Sequence, residues 1–195
     1  MNNPQALDRR AVVKALMTEC PDALVIAGLG SSAYDLFAAG DRDLNFYLWG
    51  AMGGAASIGL GLALAQPQRA VLVVTGDGEQ LMGIGSLATI AAQRPKNLNI
   101  VVLDNGHYGE TGMQKSHTAL GTSLTGVAAA CGLAWTLEIA EMATLRDLAQ
   151  RIKSKNGCGL ANVRVSADAL PRALPTRDGV LMKNRFRLAL GLATL

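Results

Sequence analysis

Two uninterrupted apolar runs place the strongest constraint on the fold of this chain. "AVLVVTG" covers residues 70–76 and "LNIVVLDN" covers residues 98–105, with a helix-like segment between them. A strand that is apolar throughout is covered on both faces, which is typical of parallel sheets. One intervening helix is the usual right-handed crossover between neighbouring parallel strands. The two runs therefore predict adjacent parallel strands, with helices packed on both faces of the sheet.

The remaining segments continue this alternation of strand and helix patterns. The apolar and turn-forming residues predict strands at 22–28, 45–49, 70–76, 98–105, 134–139 and 159–165. Helical periodicity and helix-ending residues predict helices at 5–19, 31–40, 53–66, 81–93, 125–131, 144–154 and 179–191, with a serine N-cap at the start of the second. We therefore expect an α/β fold with a doubly wound, mainly parallel sheet and helices on both faces, in a single domain covering residues 1–195.

The composition excludes several functional classes. The formal charge is only +3 and no run of five basic residues occurs, so we expect no nucleic-acid partner. The most apolar stretch, 51–65, contains four glycines and is too short to span a bilayer, so we expect no membrane association. The N-terminus has no signal-peptide pattern, and Cys20, Cys131 and Cys158 are too widely spaced for a zinc cluster or a disulfide framework. We expect a cytoplasmic protein with reduced thiols.

Three predicted strands end in polar or glycine-rich loops, "AGLGSS", "TGDGE" and "DNGHYG". Ligands of doubly wound sheets bind at the carboxyl ends of the strands, so these loops are candidates for a binding site. The first loop, "GLGSSA" at 28–33, also matches the dinucleotide fingerprint G-x-G-x-x-A. No acidic residue ends the following strand, as that fingerprint requires. A dinucleotide-binding protein and an ordinary turn both remain open for this loop.

Asp77 and Asn105 each end a predicted buried strand, one helix apart. Their side chains are expected to emerge at the same edge of the sheet, because the two strands are predicted to be parallel neighbours. A carboxylate, an amide oxygen and a backbone carbonyl are the hard oxygen ligands that Mg²⁺ or Ca²⁺ prefers. Gly76 and Gly78 would leave bare backbone for a diphosphate. A tight turn at Asp77 with an unrelated asparagine is the alternative.

The order of these segments resembles that of the thiamine-diphosphate-dependent enzymes. G-D-G at 76–78, an asparagine ending the next strand, and "WGAMGGAASIGLGLALA" at 49–65 carry the resemblance. It implies that Mg²⁺ is held by Asp77, Asn105 and the backbone carbonyl of His107. It also implies that the cofactor thiamine diphosphate is bound by Gly30, Ser31, Ser32, Gly50, Met52, Gly76, Asp77, Gly78, Glu79, Asn105 and Tyr108. Within this set, Met52 would support the bent cofactor, and the Gly50 carbonyl would meet its aminopyrimidine ring.

Two positions depart from the family pattern. The usual Asn-Asn pair is Asp104-Asn105 here, and Glu79 replaces the serine or alanine that often follows G-D-G. A carboxylate beside a diphosphate is repelled. We therefore expect the Glu79 backbone amide to serve the phosphate, and its side chain to point away or to meet a partner chain.

"DNGHYGETGMQKSHT" at 104–118 resembles the sulfopyruvate and phosphonopyruvate decarboxylases of this family. The resemblance implies decarboxylation of a small 2-oxo acid. Thr111, Gln114 and Lys115 are candidates for binding the anionic tail of the substrate. His107, Glu110 and His117 are candidate proton-transfer residues, although both histidines also fit ordinary exposed loop positions.

Family members require a second, pyrimidine-binding domain that supplies a glutamate to the aminopyrimidine ring. The 195 residues leave no room for that domain. We therefore expect this chain to be the β subunit of a heteromer, with the active site shared with a separate pyrimidine-domain α subunit. A carboligase of the acetolactate-synthase type remains an alternative. So does a non-catalytic cofactor-binding or dinucleotide-binding module.

Overall fold

The computed structural model describes residues 6–194, and its centre is a six-stranded parallel sheet. The strands are β1 (Leu24–Ala27), β2 (Asn45–Tyr47), β3 (Val71–Gly76), β4 (Leu98–Asp104), β5 (His107–Tyr108), β6 (Gln114–Lys115), β7 (Trp135–Ile139) and β8 (Gly159–Arg164). The order in the main sheet is β2-β1-β3-β4-β8-β7, and β5 and β6 form a separate antiparallel hairpin. The predicted doubly wound parallel sheet is confirmed.

Eight α-helices connect and flank these strands within residues 6–194. They are α1 (Arg9–Glu19), α2 (Ser31–Ala38), α3 (Ala55–Ala65), α4 (Asp77–Met82), α5 (Ser86–Gln93), α6 (Leu124–Cys131), α7 (Leu145–Ser154) and α8 (Gly179–Ala189). The first helix was predicted from residue 5, which lies outside the described residues. In the described part of the chain, no helix has the length and apolar character needed to cross a bilayer.

The core consists of two apolar layers, one on each face of the sheet. Val25, Leu72 and Val101 face the layer that α1, α2 and α7 cover. Ile26, Val73 and other alternate strand residues face the layer that α3, α5 and α6 cover. Successive strand side chains point to opposite faces, so a strand buried on both sides is apolar at every position. This explains the two apolar runs in the sequence.

Two predicted details of the helices are wrong. The helix predicted at 81–93 is divided in two: α4 begins at Asp77 and ends before Gly83, and α5 begins at Ser86. The glycines at 83 and 85 weaken a continuous helix, since glycine loses more backbone entropy than other residues. The predicted serine N-cap is also wrong: Gly30 is the N-cap of α2, with φ of 76°, and no side-chain hydrogen bond caps this helix.

The segment 105–122, between the predicted strand at 98–105 and the predicted helix at 125–131, contains the β5–β6 hairpin and a short 3₁₀ helix at His117–Leu120. The Ser116 amide donates to the Gly106 carbonyl at 2.8 Å, which closes the hairpin. This segment returns over the carboxyl ends of β3 and β4, so its buried polar residues lie beside Asp77 rather than in solvent.

Candidate active site

A cavity of about 400 Å³ opens at the carboxyl ends of the central strands. The strand order reverses between β1 and β3, and ligands of open α/β sheets bind at such a switch point. The predicted residues after β1, β2 and β3 that line the cavity are Ser31, Ser32, Met52, Gly76, Asp77, Gly78 and Glu79. Those after β4 are Asn105, His107, Tyr108, Glu110 and Thr111. The fold thus brings twelve of the predicted positions to one site.

Five other predicted residues do not line this cavity. Gly30 lies between Leu29 and Ser31, which do line it, and Gly50 lies two residues before Met52, while Gln114, Lys115 and His117 are exposed on the hairpin segment. Gln114 and Thr111 are paired with each other: the Thr111 hydroxyl donates to the Gln114 amide oxygen at 3.2 Å. The Gln114 amide nitrogen in turn donates to the Thr111 carbonyl at 3.0 Å. The role of these residues in substrate binding stays a prediction.

Asp77 is the first residue of α4 and is 2% exposed. Its Oδ2 accepts hydrogen bonds from the hydroxyls of Ser116 and, at 3.3 Å, Thr118. Burial raises the pKa of the Asp77 carboxyl group; the nearby charge of Asp104 also raises it, while the Ser116 and Thr118 hydroxyls lower it. No side chain among residues 6–194 donates to Oδ1, so that oxygen remains available for a ligand.

The side chains of Asp104 and Asn105 have different surroundings, because Asp104 is buried in the protein and Asn105 lines the cavity. Asp104 is buried, and its two oxygens accept from the Thr118 hydroxyl at 2.8 Å and the Asn162 amide at 3.0 Å. Asn105 lines the cavity, and its Oδ1 accepts from the His107 amide at 2.9 Å. A side-chain amide oxygen has a second lone pair, so Asn105 can still bind an ion. The carboxylate at 104 belongs to an internal hydrogen-bond network.

The backbone carbonyl of His107 does not take part in the hairpin ladder. Gly106 and Ser116 share a ladder hydrogen bond, so His107 and Lys115 form the non-hydrogen-bonded pair between two such bonds. Asp77, Asn105 and His107, the residues that carry the carboxylate, the amide oxygen and this carbonyl, all line the same cavity. No group of three or more His, Cys, Asp or Glu side chains suited to a metal ion occurs within 6–194. The available donors are all hard oxygens, which fits Mg²⁺.

Tyr108 lies directly over the backbone of Gly78. A Cβ atom at residue 78 would be 2.6 Å from the tyrosine ring, so a larger residue could not be accommodated there. The Tyr108 hydroxyl is 3.3 Å from Nδ1 of His117. A Cβ at Gly76 would meet nothing within 4 Å, so this residue presents its backbone to open space. The G-D-G segment thus combines one bare backbone position with one covered by an aromatic ring.

The Glu79 side chain is buried within this chain, so the expected contact with a partner chain is wrong, while the other expectation, that it points away from the diphosphate, stays a prediction. It is 4% exposed, and Oε2 accepts from the Thr75 hydroxyl at 2.9 Å. Burial raises the pKa of Glu79, and the Thr75 hydroxyl and the backbone amides of Ala55, Leu29 and Gly53 oppose the rise. The sequence did not predict this inward orientation.

Several residues of the site carry no sequence signal that identifies them. Arg9, Leu29, Leu103 and Val165 line the cavity, and Arg9 is buried with its Nε 2.6 Å from Asp35. Arg9 belongs to an amphipathic helix pattern, where an arginine normally indicates the solvent face. Its burial depends on Asp35, which the fold brings beside it from another helix.

The extended segment 166–178 crosses the outside of the site between β8 and α8. Arg9 Nη1 donates to the Asp168 carbonyl at 3.0 Å, and the Trp49 indole donates to the Thr176 carbonyl at 2.7 Å. Arg172 in this segment lies 3.3 Å from Glu110 of the hairpin turn. The segment therefore touches three separate parts of the domain.

The comparison with known proteins agrees with this geometry. The sequence pattern of the thiamine pyrophosphate enzyme C-terminal TPP-binding domain matches residues 30–165, which contain nearly all of the cavity-lining residues. The chain belongs to the thiamine pyrophosphate enzyme family. Thiamine pyrophosphate is the same compound as thiamine diphosphate, so the predicted family is confirmed.

Two curated relatives and one solved structure are similar to this chain. The chain is 40% identical over 92% of its length to a phosphonopyruvate decarboxylase from Streptomyces viridochromogenes, and spans only 45% of that protein. It is 36% identical over 94% of its length to a sulfopyruvate decarboxylase subunit beta from Methanococcus maripaludis, and spans 98% of that subunit. A putative thiamin diphosphate-dependent enzyme from Mycobacterium smegmatis superposes with a TM-score of 0.71 at 24% identity, covering 86% of this chain and 33% of that one. This structural likeness supports the fold.

Proposed function

We propose that this chain is the β subunit of a thiamine-diphosphate- and Mg²⁺-dependent decarboxylase of small 2-oxo acids. The observation that supports this most directly is that Asp77, Asn105 and Met52 border one cavity. The similarity to a relative named as one subunit, a sulfopyruvate decarboxylase subunit beta, supports the separate-subunit assignment. The proposed domain is a single one that extends over residues 1–195.

The residues of the cavity suit this cofactor at its polar end. Asp77, Asn105 and the His107 carbonyl would hold Mg²⁺, and the first loop, with Ser31 and Ser32, would bind the diphosphate together with the bare backbone of Gly76. Thiamine diphosphate supplies the electron sink for decarboxylation once bound. The chain's own residues orient it: Met52 is half-buried at the cavity wall, where it would support the bend of the cofactor.

Three further residues are assigned proposed roles from their positions around the cavity. Glu110 and Thr111 line the cavity on its hairpin side, and His107 lies there with Nδ1 2.8 Å from the Asn105 carbonyl. These residues are our candidates for contact with the substrate. We propose that a separate pyrimidine-domain α subunit completes the site with the glutamate that the family requires.

Calorimetric titration of the purified chain with thiamine diphosphate tests the cofactor assignment. We expect binding that requires Mg²⁺, no binding of NAD, and loss of binding in Asp77→Ala. Asp178→Ala is a suitable control, because Asp178 caps the exposed start of α8 and should leave cofactor binding unchanged. Binding of NAD but not of thiamine diphosphate would contradict the proposal.

The activity is tested with the chain co-expressed with a neighbouring gene product that has the pyrimidine-domain pattern. Carbon dioxide release should be measured with sulfopyruvate, phosphonopyruvate and pyruvate as substrates. We expect release from at least one of the first two, and little from the isolated chain. Full activity of the isolated chain would exclude the shared active site, and acetolactate formation from pyruvate would favour a carboligase.

A further inference from the structure

We propose that Glu79 is a positioning residue whose buried carboxyl group joins the three loops that border the cofactor cavity. The first loop is 28–30 after β1 and the second is 49–54 after β2, while the third, at 75–79, is the direct junction of β3 with α4. The inference rests on the proposed function only for the statement that these loops bind the cofactor. The contacts that Glu79 makes with these segments are present in the protein without ligands.

The carboxyl group of Glu79 lies among these three segments, with its one hydrogen bond in the described part of the chain to Thr75. Thr75 of the third loop donates its hydroxyl hydrogen to Oε2 at 2.9 Å. The backbone amides of Leu29 in the first loop and of Gly53 and Ala55 at the second lie near the carboxyl group. Oε1 makes no hydrogen bond of good geometry with any residue in the described part of the chain. These amide groups therefore lie near the carboxyl group, and its oxygen Oε1 can still accept a hydrogen bond.

Gly28 in the first loop provides the space for this carboxyl group. A Cβ atom at residue 28 would be 1.7 Å from Oε2 and 3.0 Å from Oε1 of Glu79. The φ angle of Gly28 is outside the left-handed region, so its backbone conformation does not require glycine. Residue 28 must therefore lack a side chain only because the Glu79 carboxyl group occupies that space.

The loops that Glu79 joins carry the groups at both ends of the cavity. Ser31 and Ser32 follow the first loop, Met52 lies in the second, and Gly76 and Asp77 lie in the third. Serine or alanine, common at this position in the family pattern, is too short to bridge the loops. Glu79 therefore sets the distance between the proposed diphosphate-binding and cofactor-supporting residues.

Amide hydrogen exchange of the ligand-free full chain tests the joining directly. In Glu79→Ala we expect exchange at Leu29, Gly53 and Ala55 to be at least about tenfold faster, with exchange in β4 and β8 unchanged. Glu79→Gln keeps the shape and an acceptor oxygen and should preserve most of the protection. Glu141→Ala removes an exposed carboxylate far from the cavity and serves as the matched control. Unchanged exchange in Glu79→Ala would overturn the proposal.

A double-mutant cycle with Gly28 supplies the second test, read as affinity for thiamine diphosphate with Mg²⁺. We expect Glu79→Ala and Gly28→Ala each to weaken binding about tenfold. The double variant should bind no more weakly than Glu79→Ala alone, because the methyl group introduced at residue 28 then meets no carboxyl group. Additive losses would contradict the proposed contact.

The two tests separate this inference from the proposed function. If the wild-type chain does not bind thiamine diphosphate, the proposed function fails while the exchange experiment still decides the role of Glu79. If the wild type binds and Glu79→Ala binds equally well with unchanged exchange, the inference fails and the proposed function stands.

Discussion

Ser116 donates a hydrogen bond to Asp77 although 39 residues of sequence separate them. The bond connects the end of the β5–β6 hairpin with the start of α4, and it holds the oxygen Oδ2. Thr118 donates to the same oxygen at 3.3 Å. The carboxylate that we propose as a Mg²⁺ ligand is therefore oriented by hydroxyl groups before any ion binds.

Removal of this hydroxyl should weaken metal binding. Groups that orient a metal ligand typically contribute 10- to 100-fold to affinity, so we expect Ser116→Ala to lower the Mg²⁺ affinity of the cofactor complex by at least about tenfold. The measurement is a Mg²⁺ titration at saturating thiamine diphosphate. Ser123→Ala is the control, because Ser123 caps α6 and its loss should lower stability without changing Mg²⁺ affinity. Equal Mg²⁺ affinity of Ser116→Ala and wild type would exclude this role.

Met52→Ala should affect catalysis more than binding. The side chain is half-buried at the cavity wall, and its removal would take away support for the bent cofactor while leaving the diphosphate contacts in place. In the complex with the α subunit we expect kcat to fall at least about tenfold, while the cofactor Kd changes by less than about threefold. Steady-state kinetics and calorimetry check the two values. A weaker Kd with normal kcat would assign Met52 to binding instead.

Asp35→Ala should strongly destabilise the fold. Asp35 is fully buried and accepts from Arg9 at 2.6 Å and from Arg10 at 3.2 Å, so the substitution leaves a buried guanidinium without its counter-ion. Such a loss typically costs about 3–5 kcal/mol. The control is Glu19→Ala, which removes the exposed pair with Lys153 at 3.4 Å and should cost below about 1 kcal/mol. Urea denaturation of both variants provides the comparison, and similar losses would contradict the argument.

The Cys158 thiol should contribute to the alkaline instability of the fold. Burial raises the pKa of Cys158 from 9.0 to about 12. In the unfolded chain the thiol ionises near 9, while in the folded chain it stays protonated, so ionisation favours unfolding as pH rises between these values. The contribution to stability is therefore complete below pH 9 and declines by about 1.4 kcal/mol per pH unit above it.

This pH dependence is measured as the difference between wild type and Cys158→Ala, which lacks the titrating group. We expect the unfolding free energy of the wild type to fall more steeply than that of the variant above pH 9. Lysine and tyrosine titrations are common to both proteins and cancel in the difference. Parallel curves would show that the thiol does not contribute.

The strands and most helices were predictable because their pattern is local. The residues of β3 and β4 are apolar at nearly every position, and such runs have few other stable arrangements. The position of Asp77 at the sheet edge followed from the same pattern. The break between α4 and α5 was not predicted, since glycines at 83 and 85 are compatible with either a continuous or a divided helix until tertiary contacts are known.

The polar interior of the site was beyond prediction for a different reason. The burial of Glu79 depends on the space at Gly28, and the hairpin segment is held by Ser116 and Thr118 bonded to Asp77. Each of these contacts joins residues far apart in sequence, and each residue taken alone has the pattern of an exposed loop. The proposed ligand-binding residues could be named from the family pattern, whereas the hydrogen bonds that orient them could not.

The extended segment 166–178 has a practical consequence for the design of shorter fragments. The family pattern begins at Gly30 and ends at Val165, so a fragment cut at these limits would lack Arg9, Arg10 and the Thr176 carbonyl. The Asp35 carboxylate would then be buried with neither arginine, and the Trp49 indole would lose its acceptor. The smallest unit that keeps these interactions extends well past both limits of the matched domain, so truncation experiments should begin from the flanking helices α1 and α8.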